Sequence, residues 1–182
     1  MNIEGEDTIT WELETIIDCD YPDKFTTLYK HQGGRGPWAS TRIPNFESKF
    51  YEEEGTHELV IDESAGIVKA YEAVTQYCGW APIEAGKTMG LFPYGSQNLN
   101  IPDIYTNYDG MSDWSTTNRD LIVPTYPNGA VVNKGRFTEL RDPADINEKT
   151  DLTKLKSRRD MAYAIQTESE QMVLDLIRKA VD

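Results

Sequence analysis

The last thirty-two residues constrain this chain most. After Thr150 no Gly or Pro occurs before the terminal Asp182. Thr150 or Asp151 can cap a helix start, because a short side-chain oxygen satisfies backbone N–H groups that lack an intrahelical partner. Leu152, Leu155, Ala162, Ile165, Met172, Leu176 and Ala180 recur at three- and four-residue steps or multiples of them, which places them on one helical face. At ~1.5 Å per residue such a helix reaches roughly 45 Å, long enough to project or to lie along a partner. As heptads, one core row reads Leu155, Ala162, Ser169, Leu176 and the other Arg158, Ile165, Met172, Lys179. Charges at both ends of the second row weaken a dimeric coiled coil. The reading is an amphipathic helix packed on its own domain, with docking on another subunit as the sharper alternative.

Size and charge bound the rest. At 182 residues one domain over 1–150 with a C-terminal helix over 151–182 is the expectation, and the composition argues against disorder. No run approaches the eighteen apolar residues that a membrane helix needs. The acidic N-terminus, Glu4 to Asp7, lacks the basic-then-apolar pattern of a secretory signal. Cys19 and Cys78 are too few for a disulfide scaffold, so reduced thiols are expected. The expected location is cytoplasmic or a virion. The net charge is −13, of which residues 1–63 supply −10, while residues 151–182 balance. That distribution argues against a nucleic-acid surface, which depends on clustered Lys and Arg. The tail's Lys154, Lys156, Arg158 and Arg159 can instead face an acidic protein neighbour.

Along the chain, residues 8–17 read as a strand, since Ile9, Trp11, Leu13 and Ile17 share a parity. Asp18, Asp20, Pro22 and Asp23 make a turn, and Phe25 to Lys30 return as a second strand. Residues 31–55, with Gly33, Gly34, Gly36 and Pro37, read as irregular. Val60, Ser64, Ile67, Tyr71, Val74 and Cys78 step by four and three as a helix ended by Gly79. Leu59 to Ile61 can instead be a strand, with the helix starting near Ser64. From Trp80 to Thr117 glycines and prolines break every window, yet the segment is apolar and aromatic. Such a stretch usually marks function or partner contact. Residues 120–141 read as a three-strand meander, with Asn128-Gly129 turning the first hairpin and Arg136 to Leu140 as the third strand. The fold class is α+β: a small antiparallel sheet built from residues 8–30 and 120–141, one packed helix, a long irregular middle over 80–117 and a long C-terminal helix.

No motif assigns a reaction. Ala81 to Thr88 fits a loose phosphate-loop pattern, but a helix precedes it where a strand is needed, and Gly90 and Pro93 oppose a helix after it. Asp18-x-Asp20 and Asn107-x-Asp109-Gly110 begin like calcium loops and lack the Glu at position twelve. Cys19, Cys78, His31 and His57 have no zinc-ligand spacing. No cofactor is expected. The leading expectation is a non-enzymatic assembly subunit with protein partners, such as a phage virion component of head–tail or neck type. Its interface would use Trp80, Phe92, Tyr94, Tyr105, Tyr108 and Trp114 from the middle. From the tail it would use Leu155, Arg158, Arg159, Ile165, Met172 and Leu176. The alternative is a small enzyme or ligand-binding protein whose pocket joins the Tyr- and Trp-rich middle to His31 and Arg35.

Overall fold

The structure is a computed structural model, and it describes residues 2–3, 6–7, 9–20, 24–35, 41–50, 53–62, 65–106, 116–125 and 129–181. Over these residues the chain is an α+β fold. It divides into two compact units, one of residues 1–66 and 173–182, the other of residues 67–172.

In the first unit, strands β1 (Asn2–Ile3) and β2 (Glu6–Asp7) pair antiparallel. Strands β3 (Ile9–Asp20), β4 (Lys24–Arg35), β5 (Thr41–Phe50) and β6 (Glu53–Asp62) form one sheet in the order β3-β4-β6-β5. The β3/β4 hairpin has the expected antiparallel register, Cys19 opposite Phe25 and Asp20 opposite Lys24. The expectation of irregular backbone over 31–55 is corrected: β4 runs on to Arg35 and β5 and β6 follow. Gly33 is accommodated because β4 is bonded there on both sides, antiparallel to β3 and parallel to β6, and Gly34 pairs with Thr10 of β3. Pairing of this kind overrides a weak strand propensity. Pro44 lies in edge strand β5, where the register shifts between Ile43 and Phe46. An edge bulge is where a residue without an N–H is tolerated in a sheet.

The second unit begins with helix α1 (Ile67–Tyr77). Leu59 to Ile61 belong to β6, so the helix starts late, as the alternative reading held. Its buried side is Ala70, Ala73, Val74 and Tyr77, continued by Cys78. Gly79 ends it at φ 100°, and the Gly79 N–H donates to the Gln76 carbonyl at 2.9 Å. A Cβ there would be strained and would lie 2.5 Å from Leu152 Cδ1.

Beyond Trp80 the chain is more ordered than its glycines and prolines suggest. A 3-10 turn (Pro82–Glu84), helix α2 (Ala85–Leu91) and a second 3-10 turn (Phe92–Tyr94) follow one another. Glu84 reaches back to accept from the Ala81 N–H at 3.0 Å, and Thr88 and Leu91 are buried. Capping and burial offset the cost of Gly86 and Gly90. Residues 81–88 are thus 3-10 and α-helix rather than a phosphate-binding loop between strand and helix. Strands β7 (Tyr105–Thr106) and β8 (Thr116–Thr117) form a short pair.

The hairpin β9 (Ile122–Thr125) and β10 (Gly129–Val132) forms as read, with Gly129 opposite Thr125. It is a sheet of its own rather than an extension of β3 and β4, and β10 lies against α1. The expected third strand over 136–140 is replaced by a turn and a 3-10 turn, Thr138–Leu140. Leu140 is fully buried, and its carbonyl accepts from the Tyr77 hydroxyl at 3.1 Å. Anchoring Leu140 this way draws the chain off the hairpin's edge. The tail opens with a 3-10 turn (Leu152–Lys154), in which Asp151 Oδ1 accepts from the Thr153 N–H at 3.1 Å. Helix α3 (Lys156–Val181) follows, with Met161, Ala162 and Ile165 fully buried.

Candidate functional site

Within the second unit, one face of α3 forms the floor of a groove. Asp160, Tyr163, Ala164, Thr167 and Glu168 recur at three- and four-residue steps and all line it. The opposite wall comes from Gln97 to Asp103, with Thr106 and Asn118 closing one end, around a volume of about 670 Å³. The wall is held close at Gly95, where a Cβ would lie 2.0 Å from the Arg159 carbonyl oxygen. The Phe92 ring stacks on Tyr163 at 5.5 Å.

Two carboxylates on α3 fasten the wall. Asp160, 2% exposed, accepts from the Ser96 N–H at 3.3 Å and the Asn98 amide at 2.9 Å, and it pairs with Lys156. Glu168 Oε2 accepts from the Ile104 N–H at 2.6 Å and the Tyr105 N–H at 3.2 Å. Burial pushes the Glu168 carboxyl above its ordinary range against these bonds, and the nearby Asp103 charge adds to the rise. The Tyr105 hydroxyl and Ser169 share a hydrogen bond of 2.9 Å. Among the described residues the lining includes Asp103, Asp160 and Glu168 and no basic side chain, a composition suited to a cationic or amide-bearing group. Asp160 and Glu168 stand eight residues apart, roughly 12 Å along the axis. That exceeds the spacing of carboxylate pairs that act on one bond. No group of three or more His, Cys, Asp or Glu among the described residues could hold a metal ion.

The positions singled out from the sequence are divided between core and surface. Ile165 and Met172 are buried, as is Arg158 at 2% exposure. The Arg158 guanidinium pairs with Asp142 and sits 3.5 Å above the Tyr77 ring. Its Nε and Nη1 have no hydrogen-bond partner, so the ring face is what receives that side of the cation. These three side chains serve the fold of their own unit. Trp80, Phe92, Tyr105, Leu155, Arg159 and Leu176 are half-buried, and Tyr94 is exposed. Tyr108 and Trp114 lie outside the described residues, as do Asn107 and Asp109. Asp18 and Asp20 are strand residues of β3. His31 and Arg35 are strand residues of β4, and their side chains lie outside the description. Cys78 is buried, its thiol donates to the Arg158 carbonyl at 3.5 Å, and burial pushes it up to about 12. That thiol is a core group rather than a nucleophile.

Exposed apolar residues fall elsewhere. On the last turns of α3, Val173, Leu174, Ile177 and Val181 are exposed, Ile177 by 53% and Val181 by 81%. On α2 and the turns flanking it, Ile83 is 93% exposed and Met89 53%. The four-residue steps from Val173 through Ile177 to Val181 were present in the sequence as a second row beside the buried one.

No protein-family model, curated protein or solved structure matches the chain. Among the described residues no helix is long and apolar enough to cross a membrane.

Proposed function

We propose that the chain is a non-enzymatic assembly subunit of a larger protein complex, such as a phage virion's head–tail or neck. The observation that carries the reading is the solvent-open apolar row Val173, Leu174, Ile177 and Val181 on the end of α3. A contiguous apolar face left open on a helix marks a contact surface. This bears on assembly rather than on the virion setting. The size of the native species in extract of the source tests it. Elution well above the 20.7 kDa of one chain supports assembly, and elution as a single chain contradicts it.

The α3 groove favours a second reading, a ligand-binding protein for a small cationic or amide-bearing molecule. Thermal denaturation with and without millimolar spermidine checks this. A rise in Tm that disappears in a Glu168→Gln, Asp103→Asn variant supports a ligand site, and an unchanged Tm counts against it.

A further inference from the structure

The two ends of the α3 groove differ in how their charge is compensated. Asp160 pairs with Lys156 and accepts from the Ser96 N–H and the Asn98 amide, so its oxygens are occupied and its charge is met. At the other end Glu168 Oε2 accepts from the Ile104 and Tyr105 N–H groups, while Oε1 accepts from no described residue. The Asp103 carboxylate likewise has no hydrogen bond or ion pair among the described residues. The charge acting on Glu168 is that of Asp103, of the same sign. A like charge so placed opposes ionisation of a carboxyl already drawn out of water, and one cation beside the pair relieves both effects. Between the two ends Leu99, Ile101, Pro102, Tyr163 and Ala164 make the lining apolar. Leu99 is 88% exposed, an apolar side chain of the wall that packs on little of its own unit. We propose that the groove binds a free monoamine, its ammonium head at Asp103 and Glu168 and its apolar body lying along Leu99 toward Tyr163. This rests on the ligand-binding reading of the groove and names its ligand class.

Other cations fit less well. A polyamine needs a second open anion, and Lys156 already occupies Asp160. A bare metal ion needs more oxygen ligands than two carboxylates supply, and no group of three or more candidate ligands occurs among the described residues. An amino acid would bring a carboxylate of its own into a groove whose described lining holds no basic side chain. Thr106 and Asn118 close the Glu168 end, so the ammonium is the part that enters and the body is the part that extends along the groove. Tyr163 precedes Glu168 by five residues, roughly 7.5 Å along the axis, a reach of about four methylene groups. The Tyr163 ring is steadied by its stack on Phe92 and offers a flat apolar surface to an aromatic body. The volume of about 670 Å³ lies within the range of small-molecule clefts.

Calorimetric titration of the full chain with four compounds tests this, at about 0.15 M salt to screen loose attraction to the acidic surface. 4-Phenylbutylamine carries head and body, methylamine the head alone, 4-phenylbutyrate the body with an anionic head, and spermidine several heads without a flat body. 4-Phenylbutylamine is expected to bind about tenfold or more tighter than methylamine or spermidine, and 4-phenylbutyrate not to bind. Asp103→Asn is expected to weaken 4-phenylbutylamine by about tenfold, and Leu99→Ser by about threefold. Both positions are exposed, so both variants are expected to keep the melting transition of the unaltered chain. Spermidine binding as tightly as 4-phenylbutylamine overturns the monoamine while the groove still stands as a cation site. Binding of 4-phenylbutylamine that Asp103→Asn leaves unchanged, or that 4-phenylbutyrate equals, overturns the placing of the head. If neither amine binds at millimolar concentration, this inference and the ligand-binding reading fall together.

Discussion

At Gly95 a single missing methyl group decides how closely the 95–103 wall approaches α3. A Cβ would press on the Arg159 backbone at 2.0 Å and on Tyr163 Cβ at 2.9 Å, and neither can swing away as a flexible side-chain tip can. Gly95→Ala is therefore expected to destabilise the second unit by about 2 kcal/mol or more, measured by urea unfolding. Gly86→Ala, with open space and helical backbone, is expected to stabilise by up to about 1 kcal/mol. Two carboxylates differ in the sign of their pH dependence. Burial tends to raise the Asp142 carboxyl, but Lys134 and Arg158 outweigh it and hold the group below its ordinary range. Its contribution is present above the unfolded value, ~3.9, and is lost as pH falls through the lower folded value. Glu168 is raised by burial, so the fold binds its proton more tightly than the unfolded chain does. Relative to Glu168→Gln, the parent is expected to gain stability as pH falls from 7.5 toward about 4.3. Relative to Asp142→Asn, it is expected to lose stability below about pH 4. Denaturant titrations at pH 7.5, 4.5 and 3 distinguish the two trends.

Among elements, α3 shows how one helix carries two kinds of face. Ile165 is fully buried, while Ile177, twelve residues on, is half open. Ile165→Ala is expected to cost about 2–5 kcal/mol, and Ile177→Ala no more than about 0.5 kcal/mol in the isolated chain. The same denaturation series reads both. Elements governed by local chemistry were legible in the sequence. Gly79 takes the left-handed backbone at the end of α1 and Gly129 opens β10, while Asp151 caps a 3-10 turn ahead of α3 rather than the helix itself. Elements governed by distant pairing were not. Nothing local in Gly33-Gly34 or around Pro44 announces strands, because the partners in β3 and β6 make them so. Arg136 to Leu140 has a strand's composition, yet the Tyr77 hydroxyl sixty-three residues away holds the Leu140 carbonyl. The groove's carboxylates were illegible for the same reason. Nothing in the sequence marks Asp160 and Glu168, whose partners are backbone N–H groups and an amide some sixty residues away in 96–105.

For the whole molecule, charge and apolar exposure give one consistent picture. The acidic load sits in residues 1–63, while residues 151–182 balance. Exposed apolar side chains form a row on the end of α3 and also occur singly elsewhere, among them Ile83, Met89, Val68 and Leu99. Of the row read from the tail, Ala162, Ile165 and Met172 are buried on α3, while Leu152 and Leu155 precede the helix, Leu176 is half-buried and Ala180 is exposed; the neighbouring row Val173, Ile177 and Val181 is left open. Under the proposed assembly reading, the acidic load keeps copies apart over residues 1–63 and contact falls to the open apolar row at the end of α3. Mass by light scattering on the purified chain, across a concentration series at fixed salt, tests this most directly. The account expects a weight-average mass that climbs above 20.7 kDa with concentration and falls back on dilution. A mass fixed at that of one chain throughout the series would contradict it.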